Sequence, residues 1–158
     1  MKIYCENNNE IDVPYNSLKG AILDNLDLHR VKLENVELKG VIFHKSNLRG
    51  ALLYNSDLRN ADLSFVNLIT ADLRDTLLMN ADLSNATAYR CDFRHAKLQK
   101  ANLNNANINS ADFSNANLSG ADMCCLEIEE AIFRGAVYNE TTIWPKGFNP
   151  KDFGCILL

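Results

Sequence analysis

Nowhere in these 158 residues do more than a few large apolar side chains follow one another, far short of the roughly 20 needed to span a membrane. The opening Met1-Lys2-Ile3-Tyr4-Cys5-Glu6-Asn7 lacks the apolar stretch of a signal peptide. A cytoplasmic protein without a membrane partner is expected. No Gly/Ser-rich or charge-rich linker divides the chain, so it reads as one domain. Also missing are a His-Glu-x-x-His pair, a P-loop and a dinucleotide fingerprint. The five cysteines are odd in number and lack ligand spacing, which predicts reduced thiols rather than disulfides or a metal centre.

What the chain has is a count of five. From Leu18 through Leu23, Leu28 and Leu33 to Ile128 and Phe133, a large apolar residue returns every fifth position, with Ala88 the one exception. Five matches neither the 3.6 of a helix nor the alternation of a strand, so each unit turns a corner to keep one face inward. Two residues before each large residue is a second register, mostly Ala, with Val, Ser, Thr or Cys at most other positions. A place that tolerates a methyl but little more is one where backbones approach closely. The remaining positions are mainly Asp, Asn, Lys, Arg, Ser or Gly, as in Ala61-Asp62-Leu63-Ser64 and Ala81-Asp82-Leu83-Ser84, and face water.

In these units the chain resembles the pentapeptide-repeat family, whose A(D/N)LxX motifs form a right-handed quadrilateral parallel β-helix. The resemblance implies an all-β solenoid with four units per coil, so that residues 20 apart stack. It places an N-terminal cap at 1–17, about six coils at 18–138 and a C-terminal cap at 139–158. At the strand spacing of about 4.8 Å, six coils span about 29 Å. Such stacks are stabilised by neighbour terms and need covered ends. Ile3, Tyr4, Ile11, Val13 and Tyr15 are expected to pack near the outward pair Ile22 and Ile42. Trp144, Phe148 and Phe153 are expected to plug the other end beside Ile132 and Val137, an ending similar to that of many cyanobacterial members. Cys155-Ile156-Leu157-Leu158 matches a prenylation box, but without a polybasic run upstream it reads as part of that cap. At Ala88 the column Leu68, Ala88, Ile108 lacks most of one side chain. A void or an inward bend follows, and Ala88→Leu should raise the melting temperature if a void is present.

A convex tube offers few concave places for catalysis. His29, His44 and His95 fall on three separate columns, which predicts neither a metal set nor a triad partner within the repeat. No enzyme and no cofactor are expected. Two acidic stripes are expected instead, Asp62 and Asp82 with Asn102 and Asp122, and Asp72 with Asp92 and Asp112. Since some members of the family bind type II topoisomerases in place of DNA, the resemblance implies DNA mimicry of gyrase as one function for these stripes. The plainer alternative is that Asp and Asn satisfy backbone groups at the corner. The stretch 18–138 holds 15 acidic and 13 basic residues, too even for a single-sign field and unsuited to binding nucleic acid directly. Asn25, Asn85 and Asn105, like Asn35, Asn55 and Asn115, read as turn formers.

The more distinctive surface is apolar. Phe65, Ile69 and Tyr89 are expected to cluster, with His29, Arg49 and Arg90 on or beside the same face. Aromatic groups rimmed by arginine have the composition of a binding hot spot. Packing over the Ala88 site is the competing role. The reading that follows is a non-enzymatic protein-binding or scaffolding module of unidentified partner, with a topoisomerase-directed DNA mimic as the alternative and a dimer through one cap as a possible assembly.

Overall fold

The computed structural model describes residues 1–6 and 10–158. From Leu18 the chain winds into coils of 20 residues, each with four faces five residues long. The bridging residue at the middle of each face pairs in parallel with its equivalent one coil on. Face 1 runs Ile22, Ile42, Asp62, Asp82, Asn102, Asp122, and face 2 runs Asp27, Asn47, Asn67, Thr87, Asn107. Face 3 runs Lys32, Leu52, Asp72, Asp92, Asp112, Ile132, and face 4 runs Glu37, Asp57, Leu77, Lys97, Asn117, Val137. The tube is the right-handed quadrilateral β-helix implied by the repeat.

The backbone bonds explain why five residues suffice per face. In one unit Leu63 N–H donates to Asp82 O and Asp82 N–H donates back to Ala61 O, at 2.7 and 2.9 Å. The corner closes with Ala61 N–H to Leu58 O at 3.1 Å. Corner residues are left-handed, including Asn25, Asn55, Asn85 and Asn105 with φ of 53 to 59°, a conformation that Asn tolerates. Inside, the large residues are fully buried, each worth about 1.5 to 3 kcal/mol in removal from water. Phe93, Phe113 and Phe133 form a stack with ring centroids 4.6 and 5.3 Å apart, close to the spacing of the coils. At Ala88 the ladder is undisturbed: Leu68 N–H to Thr87 O and Ala88 N–H to Asn107 O are both 2.8 Å. The main chain does not bend inward there.

The count of five slips twice. Cys125, not Leu126, fills the small inward place, and Asn107 pairs with Leu126, 19 residues on, whose side chain points outward. Glu127 in the left-handed region and a 3-10 turn at Ile128–Glu130 return the missing residue, so Asp112 again pairs 20 on, with Ile132. After Tyr138 one residue is gained. Asp122 pairs with Ile143, and Thr142 fills the small place with its hydroxyl donating to Leu118 O at 3.0 Å.

The N-terminal segment does not cover Ile22 and Ile42 as the sequence suggests. β1 (Lys2–Cys5) pairs antiparallel with β2 (Glu10–Asp12) and with β3 (Val31–Lys32), which extends face 3 instead. The alternation that buries Ile3 and Cys5 also supplies an edge strand to the first coil, satisfying amides that a side chain could not. The Tyr15 hydroxyl lies 3.2 Å from both the backbone N and O of Ile22, and the Ile22 side chain stays 56% exposed. At the other end Trp144 stacks on Phe148 and Phe148 on Phe153, with Phe133 edge-on to both Trp144 and Phe148. β4 (Val137–Tyr138) pairs in parallel with β5 (Ile156–Leu157), which adds a rung to face 4. Ile132 lies outside this plug and is half exposed.

Candidate functional site

Asp and Asn at the bridging positions have a local task. In unit after unit the side-chain oxygen accepts the backbone N–H two residues later, as in Asp62 to Ser64, Asp82 to Ser84, Asp112 to Ser114 and Asp122 to Cys124, at 2.8 to 3.0 Å. This is an Asx turn that opens each corner. On face 3 the carboxylates also hold arginines. Arg74 clasps Asp72 with Nε and Nη2 at 2.8 and 2.6 Å, and Arg94 grips Asp92 in the same way. Arg74 further reaches Asp92 at 3.7 Å and Arg94 reaches Asp112 at 3.9 Å, so charges alternate up the face. Arg59 repeats the clasp on Asp57 of face 4 and holds its carboxyl below the usual carboxylate range. At Asp72 burial pushes the carboxyl up, but the Arg74 hydrogen bonds and the Arg74 and Arg94 charges outweigh it, leaving a net depression.

One histidine meets a hydroxyl within the repeat. His44 shares a column with Ser64, 20 residues on, and its Nδ1 lies 2.8 Å from Ser64 Oγ. The separation of the three histidines does not bear on this contact. The order is nonetheless wrong for nucleophilic catalysis, because Ser64 Oγ donates its proton to Asp62 Oδ1 at 2.5 Å rather than to the imidazole. The amides of the turn are also spent: Ser64 N–H on Asp62, Phe65 N–H on Ser84 O, Val66 N–H on Leu63 O. None is left to stabilise an oxyanion. Buried thiols are no better placed. Burial pushes Cys91 well above its ordinary value and Cys155 up to about 11. Cys155 lies inward, with Sγ 4.0 Å from Phe133 O.

Phe65 stands on the corner between faces 1 and 2, left-handed at φ 57° and 52% exposed. His44 meets its ring edge-on at 5.5 Å and Lys45 Nζ lies 6.0 Å from its centroid. Ile69 and Tyr89 occupy the next corner, between faces 2 and 3, with Asn67 on the face that separates them from Phe65. That second corner also carries Arg49 and Arg90. Its turns are laddered by Arg30 N–H to Arg49 O, Gly50 N–H to Ile69 O and Thr70 N–H to Tyr89 O, at 2.9, 2.9 and 3.0 Å. Arg90 lies over the Tyr89 ring at 5.1 Å. Among the described residues neither Arg49 nor Arg90 has a carboxylate within 4.0 Å.

Below Ile69 the corner opens into a recess of about 580 Å³ lined by Glu6, His29, Arg30, Arg49, Gly50, Leu52 and Thr70. Gly50, left-handed at φ 65°, lines it, and Arg30 Cγ lies 3.3 Å from where a Cβ on Gly50 would stand. Sequence reading missed Glu6, Arg30 and Gly50. A glycine at a corner reads only as a turn residue, and Glu6 arrives through the fold of the N-terminal strand. Among the described residues no cluster of His, Cys, Asp and Glu could hold a metal ion, and no helix is long and apolar enough to cross a membrane.

The family described as pentapeptide repeats matches residues 17–50, 40–75, 56–94 and 89–124. Among solved structures, HetL, a pentapeptide repeat protein involved in heterocyst differentiation regulation from the cyanobacterium Nostoc sp. strain PCC 7120, is 30% identical with a TM-score of 0.72. The match covers 78% of this chain and 55% of HetL, so the chain spans little more than half the length of that relative. Rfr23 from the cyanobacterium Cyanothece 51142 is 26% identical over 81% of this chain and 87% of its own, with a TM-score of 0.51. QnrB1, a plasmid-mediated fluoroquinolone resistance protein, shares the fold at 17% identity and a TM-score of 0.55, over 92% of this chain and 86% of its own. No curated protein sequence matches the chain.

Proposed function

This chain belongs to the pentapeptide-repeat family, and on that premise we propose that it is a non-enzymatic protein-binding module whose contact surface is the corner bearing Arg49, Ile69, Tyr89 and Arg90. Phe65 contributes from the far edge of face 2. The observation that carries this reading is that Arg49 and Arg90, beside apolar and aromatic groups, have no carboxylate within 4.0 Å among the described residues, whereas Arg59, Arg74 and Arg94 are clasped by their own aspartates. Arginine free to form planar, two-pronged bonds next to tyrosine is the composition of interface anchors. A cytoplasmic setting accords with five unpaired thiols.

The competing reading, a DNA mimic acting on gyrase or another topoisomerase, draws on the fold shared with a fluoroquinolone resistance protein. The face 3 stripe weighs against it. Asp72 and Asp92 are neutralised in place by Arg74 and Arg94, and a mimic needs a wide field of one sign. A second surface at the C-terminal end is assigned to self-association. There the outward position on every face turns apolar, with Ile143, Leu126, Ile132 and Ile156 each about half exposed.

The test is a crosslinked pull-down from native lysate with wild type and a Phe65→Ala/Tyr89→Ala variant of unchanged melting temperature. A protein captured by wild type and lost from the variant is the expected result. Equal capture by both would reject this corner, and a melt lowered by several degrees would assign the cluster to packing. Inhibition of DNA supercoiling, or protection of it from a quinolone, at micromolar protein would favour the mimic instead.

A further inference from the structure

We propose that the recess at Gly50 is a carboxylate-binding pocket that takes an acidic side chain of an extended peptide, with Arg30 and Arg49 as its cationic walls. This rests on the reading of that corner as the contact surface and names the chemistry of the partner. The pocket already holds one carboxylate of its own: Glu6 Oε2 lies 2.9 Å from Arg30 Nε. Arg49 and His29 line the same recess, and among the described residues neither has a carboxylate within 4.0 Å. Glu6 is thus an internal stand-in that satisfies one wall and leaves the other for an incoming group.

The surroundings select the ligand. Leu52 supplies an apolar floor, suited to the stem of a Glu or Asp side chain. Ile69 and Tyr89 follow one and two coils further along the corner, about 5 and 10 Å away at the spacing of stacked strands. An extended peptide advances about 6.6 Å for every second residue, so an apolar side chain two positions beyond the acid comes close to Ile69, while one four positions beyond, at about 13 Å, lies past the Tyr89 step. A nucleic acid is disfavoured because the chain carries a net charge of −4 and no wide basic field around the recess.

The test is a titration of the isotopically labelled full chain with the capped peptide Glu-Asp-Ala-Leu-Ala-Leu, followed by amide and arginine side-chain signals. Saturable shifts at Arg30, Arg49 and Gly50 are expected at millimolar peptide or below. Arg49→Glu should weaken binding by about tenfold or more. Gly50→Asn crowds the recess beside Arg30 with a residue that Asn60 and Asn80 show is accepted at such corners, at φ 57 and 58°. It should abolish the shifts while leaving the fold intact. Glu6→Gln should strengthen binding several-fold, a gain that a purely structural Glu6 would not produce. No saturation, or unaltered affinity in Arg49→Glu and Gly50→Asn, overturns the proposal. So does tighter binding of inorganic phosphate or a DNA duplex at the same signals. Failure here leaves the corner reading intact if a captured partner is still lost from Phe65→Ala/Tyr89→Ala. Retention of that partner by every variant rejects the corner itself.

Discussion

Ser46 and Ser56 occupy small inward places where Ala is the rule, and size is all that such a position reveals in the sequence. Their hydroxyls do more. At a regular corner the amide of the small residue donates to the carbonyl three residues back, as Ala21 does to Leu18. At Leu26 and Val36 the hydroxyl of the next coil takes the place of that bond. Ser46 Oγ accepts from Leu26 N–H at 2.9 Å and donates to Leu23 O at 2.6 Å, and Ser56 does the same for Val36 and Leu33 at 3.1 and 2.5 Å. Ser46→Ala or Ser56→Ala leaves a donor and an acceptor unpaired, and each is expected to cost about 1 to 3 kcal/mol in urea denaturation. Thr76→Ala should cost less, because the Thr76 amide keeps its own bond to Leu73 O at 3.3 Å.

On face 3 the alternating column of aspartate and arginine converts a stack of like charges into a stack of pairs. Asp72 titrates below its ordinary range in the folded state, so its pairing stabilises the protein above the unfolded carboxyl value of about 3.9. That contribution is lost as pH falls through the folded value. Arg74→Gln is therefore expected to destabilise the chain at pH 7 and to destabilise it progressively less as pH falls below the unfolded carboxyl value, as read by melts across that range. Solvent screening limits the difference at neutral pH to about 0.5 to 1 kcal/mol. Half of this was legible in advance. Counting by 20 places Asp72, Asp92 and Asp112 on one line, but the i to i+2 clasp depends on how the Asx turn aims the side chain, which a count of positions does not contain.

Across the whole molecule the two ends are finished differently. The N-terminal end gains an antiparallel hairpin on face 3, while the C-terminal end gains an aromatic plug and a parallel rung on face 4. Stability of a stack built from neighbour terms is lowest at such ends, which makes them available for assembly. If the apolar ring of Leu126, Ile132, Ile143 and Ile156 pairs two tubes, light scattering should show a dimer at high concentration that Ile132→Asp/Ile143→Asp converts to monomer. A monomer in wild type at all concentrations rejects that assembly.

The repeat alone determined the buried columns, the small inward register and the turning corners, because a strict period of five keeps one large and one small position inward and must turn after each unit. Four units per coil, and with them the number of turns, came from the resemblance to the family. Tertiary structure decided what the period cannot express. The slip at Cys125 is set by which residue fits the small place beside Ala106, not by the count. The course of the N-terminal segment over Val31 is set by unpaired amides at the edge of the first coil. The recess exists because Gly50, two arginines from adjacent coils and Glu6 from a separate strand converge at one corner, and convergence of distant residues is a property of packing rather than of order along the chain.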